Sequence, residues 1–118
     1  MVMEVVMQVL NQAKVERLGN EIGKENVPIL LEIFLGELAQ YIEKLSAEQD
    51  NQGTYLKDIS HALKSSAASF GAEALCALAV ELDAAAKAGA SLDDAEIKQK
   101  MLALLVDTQQ RYKSLLGQ

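Results

Sequence analysis

The sequence predicts an all-α fold: an antiparallel four-helix bundle with an additional short helix at its N-terminus. Three observations predict it. Ala, Leu, Val, Glu, Lys and Gln dominate a 118-residue chain with one Pro, seven Gly and no Trp, which is helix-forming material. Apolar residues recur at spacings of three and four in successive stretches, the period of an amphipathic helix. Glycines and short polar segments separate those stretches, and short connections favour antiparallel neighbours. The length suits one core, so residues 1–118 are read as a single domain.

The first helical segment covers roughly Val9 to Ile22, with Val15, Leu18 and Ile22 on one face and Gly23 as its stop. Residues 1–8 precede it as a flexible extension or an earlier start of the same helix. Asn26 is read as the N-cap of the second helix, with Pro28 tolerated in its first turn. The apolar face of that helix is Leu30, Ile33, Phe34, Leu38, Tyr41, Ile42 and Leu45. Gly36 inside it costs about 1 kcal/mol relative to Ala and is read as making room for a close helix contact. Ser46 to Gly53 is polar and turn-like. The third helix runs from about Thr54 to Phe70, and Gly71 ends it in the left-handed conformation. The fourth runs from about Ala72 to Ala88 and stops at Gly89. Ser91, with Asp94 three residues on, resembles a capping box for the fifth, about Leu92 to Leu116. That helix turns Ile97, Met101, Leu104, Leu105, Tyr112 and Leu115 toward the core.

The net charge of −6 argues against a nucleic-acid binder, because phosphate backbones are gripped by clustered Lys and Arg. The charge is unevenly spread. Residues 1–53 carry nine acids and four bases, and residues 71–118 carry seven acids and five bases. Between them, residues 54–70 set Lys57 and Lys64 against Asp58 alone. The single histidine, His61, sits in the one segment that is not acidic. The single cysteine, Cys76, excludes an intramolecular disulfide and points to a reducing compartment. Its apolar helical neighbours mark it as a buried structural thiol. Met1 to Leu10 is apolar but includes Glu4, lacks a basic leader and is about half the length of a membrane span. A cytoplasmic protein that binds no membrane is therefore expected.

On a helical wheel of about 100° per residue, Leu56, Ile59, Leu63, Ser66 and Phe70 form the buried stripe of the third helix. His61 falls nearly opposite its middle and points to solvent. Lys57 lies one turn before it, Lys64 and Ser65 one turn after, and Ala68 two turns after. A carrier of a phosphoryl group needs these things: an unpaired imidazole nitrogen to attack phosphorus, a cation to offset the acquired charge, and low relief so that a second protein can approach. Lys64 supplies the cation, and Ser65 and Ala68 supply the low relief.

Other chemistries lack their parts. No Gly-rich phosphate loop of the nucleotide-binding kinds is present, so ATP is not a substrate. One His and one Cys make no transition-metal set, and Asp93, Asp94 and Glu96 read as helix-start residues. No metal and no cofactor are expected.

The run His61-Ala62-Leu63-Lys64-Ser65-Ser66-Ala67, followed by Phe70-Gly71-Ala72 and Leu75, resembles the signature of histidine-phosphotransfer (HPt) domains. The chain is identified as a member of that family by the full run with Gly ten residues after His. Further matches at Glu21-Ile22-Gly23, Asn26-Val27-Pro28 and Ile33-Phe34-Leu35-Gly36-Glu37 resemble a quorum-sensing member of it, over about nine-tenths of the chain. The resemblance implies a four-helix bundle that shuttles phosphate between receiver-domain aspartates. It makes His61 the phosphorylated residue and Lys64 the cation beside the phosphoryl group. Relatives often have Gly where this chain has Ser65, to give a receiver domain room. Gly71 matches the glycine that closes the His-bearing helix, and it is counted with Lys57, Ser65 and Ala68 in the docking surface. Where relatives place a polar residue against the imidazole, this chain has Asp83, which could hold the proton on Nδ1 but would repel an incoming phosphoryl group. Lys87, one turn on, adds a second base. The partners implied are the receiver domain of a hybrid sensor kinase and that of a DNA-binding response regulator, served by a monomer. The alternative is a helical adaptor that binds such partners without taking phosphate.

Overall fold

A computed structural model describes residues 8–47 and 52–117. The expectation of a flexible start falls mostly on residues 1–7, outside the described residues, as do residues 48–51 of the expected turn. Five α-helices and one short 3₁₀ turn follow in order: α1 Gln12–Ile22, the turn Lys24–Asn26, α2 Val27–Ser46, α3 Gly53–Phe70, α4 Glu73–Lys87 and α5 Ala95–Leu115. No strand is present among the described residues. The four long helices form the bundle and α1 lies across one end, as the composition and periodicity predict.

One apolar cluster joins all of them. Phe34, Leu38 and Leu45 of α2, Leu56, Leu63 and Ala67 of α3, and Leu75 and Ala79 of α4 meet Met101, Leu105 and Tyr112 of α5. Leu38, Leu63, Leu75 and Leu105 are fully buried, each contributing roughly 1.5–3 kcal/mol of transfer free energy. Aromatic packing ties the end of α3 to this core. The Phe34 ring stacks on Phe70 at 4.7 Å and meets Tyr112 edge-on at 5.2 Å. The Tyr112 hydroxyl donates to the Phe70 carbonyl at 2.7 Å, satisfying one of the acceptors that a helix C-terminus leaves open.

Several boundaries differ from the sequence expectation, each for a local reason. Helix α1 starts at Gln12, not Val9, because Asn11 caps it and its Oδ1 accepts from the Lys14 amide. The residues before it instead cross toward α4, where the Gln8 carbonyl accepts from the Ala74 amide at 2.9 Å. Asn26 holds the N-cap position of α2, as expected, but its side chain makes no capping hydrogen bond there. It sits in the 3₁₀ turn with helical dihedrals, and its Nδ2 donates back to the Ile22 carbonyl at 2.7 Å, closing α1 instead. Pro28 does lie in the first turn of α2. Helix α5 starts at Ala95 rather than Leu92, since Asp94 is the residue whose side chain accepts from the Glu96 and Ile97 amides. Ser91 accepts only from the Asp93 amide.

Two expectations about α2 are overturned. Ile33 is 64% exposed and Ile29 58%, so the apolar stripe extends past the core onto a solvent-facing flank. Gly36 is exposed, and a side chain added there would meet nothing; it makes no close helix contact. Ser66 is half-buried rather than part of the core stripe, because Glu37 of α2 draws its hydroxyl outward at 3.3 Å. Cys76 is also only half-buried; its thiol points at the Lys64 carbonyl, 3.6 Å away.

Candidate functional site

Helix α3 is amphipathic over its whole length. Leu56, Ile59, Leu63 and Ala67 are at most 3% exposed, which leaves the opposite side of the helix in water. His61 stands on that side with its side chain 69% exposed. Lys57, Ala62, Ser65 and Ala68 are exposed around it. The small side chains give the low relief that the wheel predicted.

What α3 cannot supply, α4 does. Among the described residues the α3–α4 contact is the most extensive, and the short αL link at Gly71 sets the two helices antiparallel. Gly71 has φ +80°, a conformation that side chains with a Cβ resist. The Ala72 amide turns back to the Ala67 carbonyl at 2.9 Å, the hydrogen bond that closes a helix ending in such a glycine. Gly71 is buried beneath α1, where a Cβ would sit 2.7 Å from the Asn11 carbonyl oxygen. It therefore shapes the bundle and lines no docking surface, contrary to its grouping with Lys57, Ser65 and Ala68.

The antiparallel pairing brings Asp83 of α4 beside His61. One carboxylate oxygen of Asp83 lies 3.4 Å from His61 Nδ1, somewhat longer than a hydrogen bond and closable by a small turn of the exposed ring. The other oxygen takes two ammonium groups, Lys64 at 2.6 Å and Lys87 at 2.8 Å. Asp83 itself is only 4% exposed. Hydrogen bonds from Lys64 and Lys87 hold its carboxyl well below the usual carboxylate range, against the opposing effect of burial. Asp83 in return raises the Lys87 ammonium above its ordinary value. The carboxylate is thus ionised and can only accept hydrogen bonds. Two lysines against one carboxylate leave a net positive charge around the imidazole.

The structure therefore gathers His61, Lys64, Asp83 and Lys87 into one cluster, with Lys57, Ser65 and Ala68 on the same exposed side of α3. Sequence reasoning missed the flank. Val80, 49% exposed, lies one turn before Asp83 on α4, and Ala84 is exposed beside it. The spacing Cys76, Val80, Asp83, Lys87 already marks one helix face. On the other side of α3, Glu37 accepts from Tyr41 at 2.7 Å and from Ser66, joining α2 to α3. Burial and the Glu37 carboxylate together push the Tyr41 hydroxyl well above its ordinary value, which keeps it a donor.

Among the described residues, no group of three or more His, Cys, Asp or Glu could hold a metal ion. Nor is any described helix long and apolar enough to cross a membrane.

A solvent-facing imidazole midway along one helix of a bundle, flanked by ammonium groups and small side chains, defines a histidine-phosphotransfer domain. The chain belongs to the Hpt domain family, which matches residues 29–111. Among particular relatives, it is 55% identical to the phosphorelay protein LuxU of Vibrio vulnificus (strain YJ016), over 92% of this chain and 95% of the relative. It is 56% identical to the protein of that name from Vibrio cholerae serotype O1 (strain ATCC 39315 / El Tor Inaba N16961), over 91% and 96%. For Vibrio harveyi the identity is 53% over 90% and 94%. No solved structure gave a significant match to the chain.

Proposed function

We propose that His61 takes a phosphoryl group from the receiver aspartate of a hybrid sensor kinase and passes it to the receiver aspartate of a DNA-binding response regulator. A phosphorelay intermediate of two-component signalling is the function of this chain, and membership of the Hpt family together with similarity to phosphorelay proteins carries that conclusion. The circuit we infer is quorum sensing. The chain acts as one domain and a monomer in the cytoplasm, without kinase or ATP-binding activity of its own.

The chemistry follows from the site. Neutral imidazole carries one N–H, and an ionised carboxylate beside Nδ1 favours the tautomer with the proton there. Nε2 then keeps its lone pair and faces solvent. In the transfer, that lone pair forms the N–P bond as the P–O bond to the donor aspartate breaks, and the aspartate leaves with the bonding electrons. The ring gains positive charge, which the Asp83 carboxylate offsets. Lys64 and Lys87 meet the phosphoryl oxygens. In the return step a carboxylate oxygen of the acceptor aspartate forms the new P–O bond as the N–P bond breaks and its electrons go back to Nε2, so the same geometry runs in both directions. Lys57, Ser65 and Ala68 form the ground on which a receiver domain settles.

The supporting observation is the His61–Asp83–Lys64–Lys87 cluster. The test incubates wild type and His61→Gln with a radiolabelled phosphorylated receiver domain. An acid-labile, alkali-stable label on wild type and none on the variant is expected. Binding without labelling of wild type would instead establish the adaptor reading.

A further inference from the structure

A serine inside a helix can satisfy its hydroxyl by turning it back to the carbonyl four residues earlier. On α3, Ser66 does so toward Ala62 at 3.4 Å while also meeting Glu37, and Ser69 does so toward Ser65 at 3.0 Å. Ser65 breaks the pattern. Its carbonyl accepts from Ser69, but its own hydroxyl has no partner among the described residues and the residue is exposed. It stands four residues after His61, one turn on along the same face. Building on the phosphorelay reading of His61, we infer that Ser65 is a phosphoryl-binding residue, whose hydroxyl donates a hydrogen bond to the phosphoryl group on His61 and lengthens its stay there.

Helix geometry puts the hydroxyl in reach. Residues four apart have Cβ atoms about 5–6 Å from one another, and helical side chains lean toward the N-terminus. Ser65 therefore leans toward the turn that bears His61, and a phosphoryl group on the ring projects its oxygens beyond the imidazole. On the wheel Lys64 and Ser65 fall on opposite sides of His61, about 60° and 40° away, so they bracket that group. The two differ in what else they hold. The Lys64 ammonium is engaged by Asp83 at 2.6 Å, as Lys87 is at 2.8 Å. The nearest acid on the α2 side, Glu37, is occupied by Tyr41 and Ser66. Ser65 gives up no bond within the protein when it donates to phosphate. The sign of the effect follows from the reaction. In a loose, metaphosphate-like transition state the outer oxygens carry less charge than in the bound dianion, so a donor holds the bound group more strongly than the departing one.

Phosphoramidate, which phosphorylates histidine without any receiver domain, loads wild type, Ser65→Ala and Ser65→Thr. Because the residue is exposed, both variants keep the fold. Phosphorus-31 spectra follow the decay of phosphohistidine at neutral pH. Ser65→Ala is expected to lose its phosphate about two- to fivefold faster, the scale of one hydrogen bond in a solvated site, and Ser65→Thr, which keeps a hydroxyl, to decay as wild type does. Titration of the same resonance adds a signature that bulk alone would not move: a lost donor disfavours the dianion, so the phosphoryl pKa should rise in Ser65→Ala and stay in Ser65→Thr. Equal lifetimes in wild type and Ser65→Ala, or a Ser65→Thr protein that decays as fast as Ser65→Ala, would overturn the proposal. If phosphoramidate loads His61 but receiver domains neither charge nor discharge it, the relay reading fails while the lifetimes still decide the role of Ser65.

Discussion

Replacing Gly71 by Ala separates a structural role from a docking role at the end of the histidine-bearing helix. The native φ of +80° costs a residue with a Cβ about 1–2 kcal/mol. The added methyl would lie 2.7 Å from the Asn11 carbonyl oxygen and 3.0 Å from Lys14 Cβ, so α1 must retreat. That movement breaks the 2.8 Å hydrogen bond from the Asn11 amide to the Gly71 carbonyl, a further loss of about 1 kcal/mol. The total is about 2–3 kcal/mol, which for a domain of this size lowers the thermal midpoint by roughly 8–12 °C. Gly89 provides the control, because its φ is +92° but a Cβ there meets nothing; Gly89→Ala should lose only the conformational part. Far-UV circular dichroism through thermal and urea unfolding measures both variants. Folded Gly71→Ala should accept phosphate from a receiver domain at the wild-type rate, since the residue is covered. A stability loss no larger than that of Gly89→Ala would refute the packing argument, and impaired receiver binding in the folded state would restore Gly71 to the docking surface.

Other consequences can be measured alongside. Lys64→Ala should lower the thermal midpoint by no more than about 4 °C, because Lys87 still pairs with Asp83 and the lost ion pair contributes at most about 1 kcal/mol, yet shorten the life of phosphohistidine several-fold; unchanged decay would remove its role. Asp94→Ala deletes the cap of α5 and should cost about 1 kcal/mol in urea unfolding, whereas Ser91→Ala should cost clearly less. Acid titration tests the depressed carboxyls. Asp83, held low by Lys64 and Lys87, and Glu73, held low by Asn11 and Lys14, stabilise the fold fully above the ordinary carboxylate pKa of about 4. That stability fades as the pH drops from there toward their lower folded values, because the unfolded chain takes up protons first. Asp83→Asn should make the acid transition shallower, and an identical transition would count against the ionised cluster.

Much of this was legible in the residues because it is local. The period of α3 set His61 opposite Leu63, and the glycine at 71 could be read as a left-handed stop. The errors arise where one residue type serves two ends. Asn26 stands at the N-cap of α2, yet its side chain bonds back to Ile22 and closes the previous helix. Ser91 and Asp94 are both capping residues, and only the backbone path through buried Leu92 selects the second. Ile33 sits at the edge of the apolar stripe, where a wheel cannot tell core from flank. Asp83 needed the third dimension, since its approach to His61 depends on how α4 crosses α3. The resemblance to the family pointed to it, and the geometry supplied its two lysines.

The most direct test of the central claim puts three proteins in one tube: a labelled phosphorylated receiver domain, this chain, and a second receiver domain. Label should reach the second receiver only when wild-type chain is present, passing through an acid-labile species on His61. If His61→Gln carries the label across as well, or wild type does not carry it at all, His61 is not the relay.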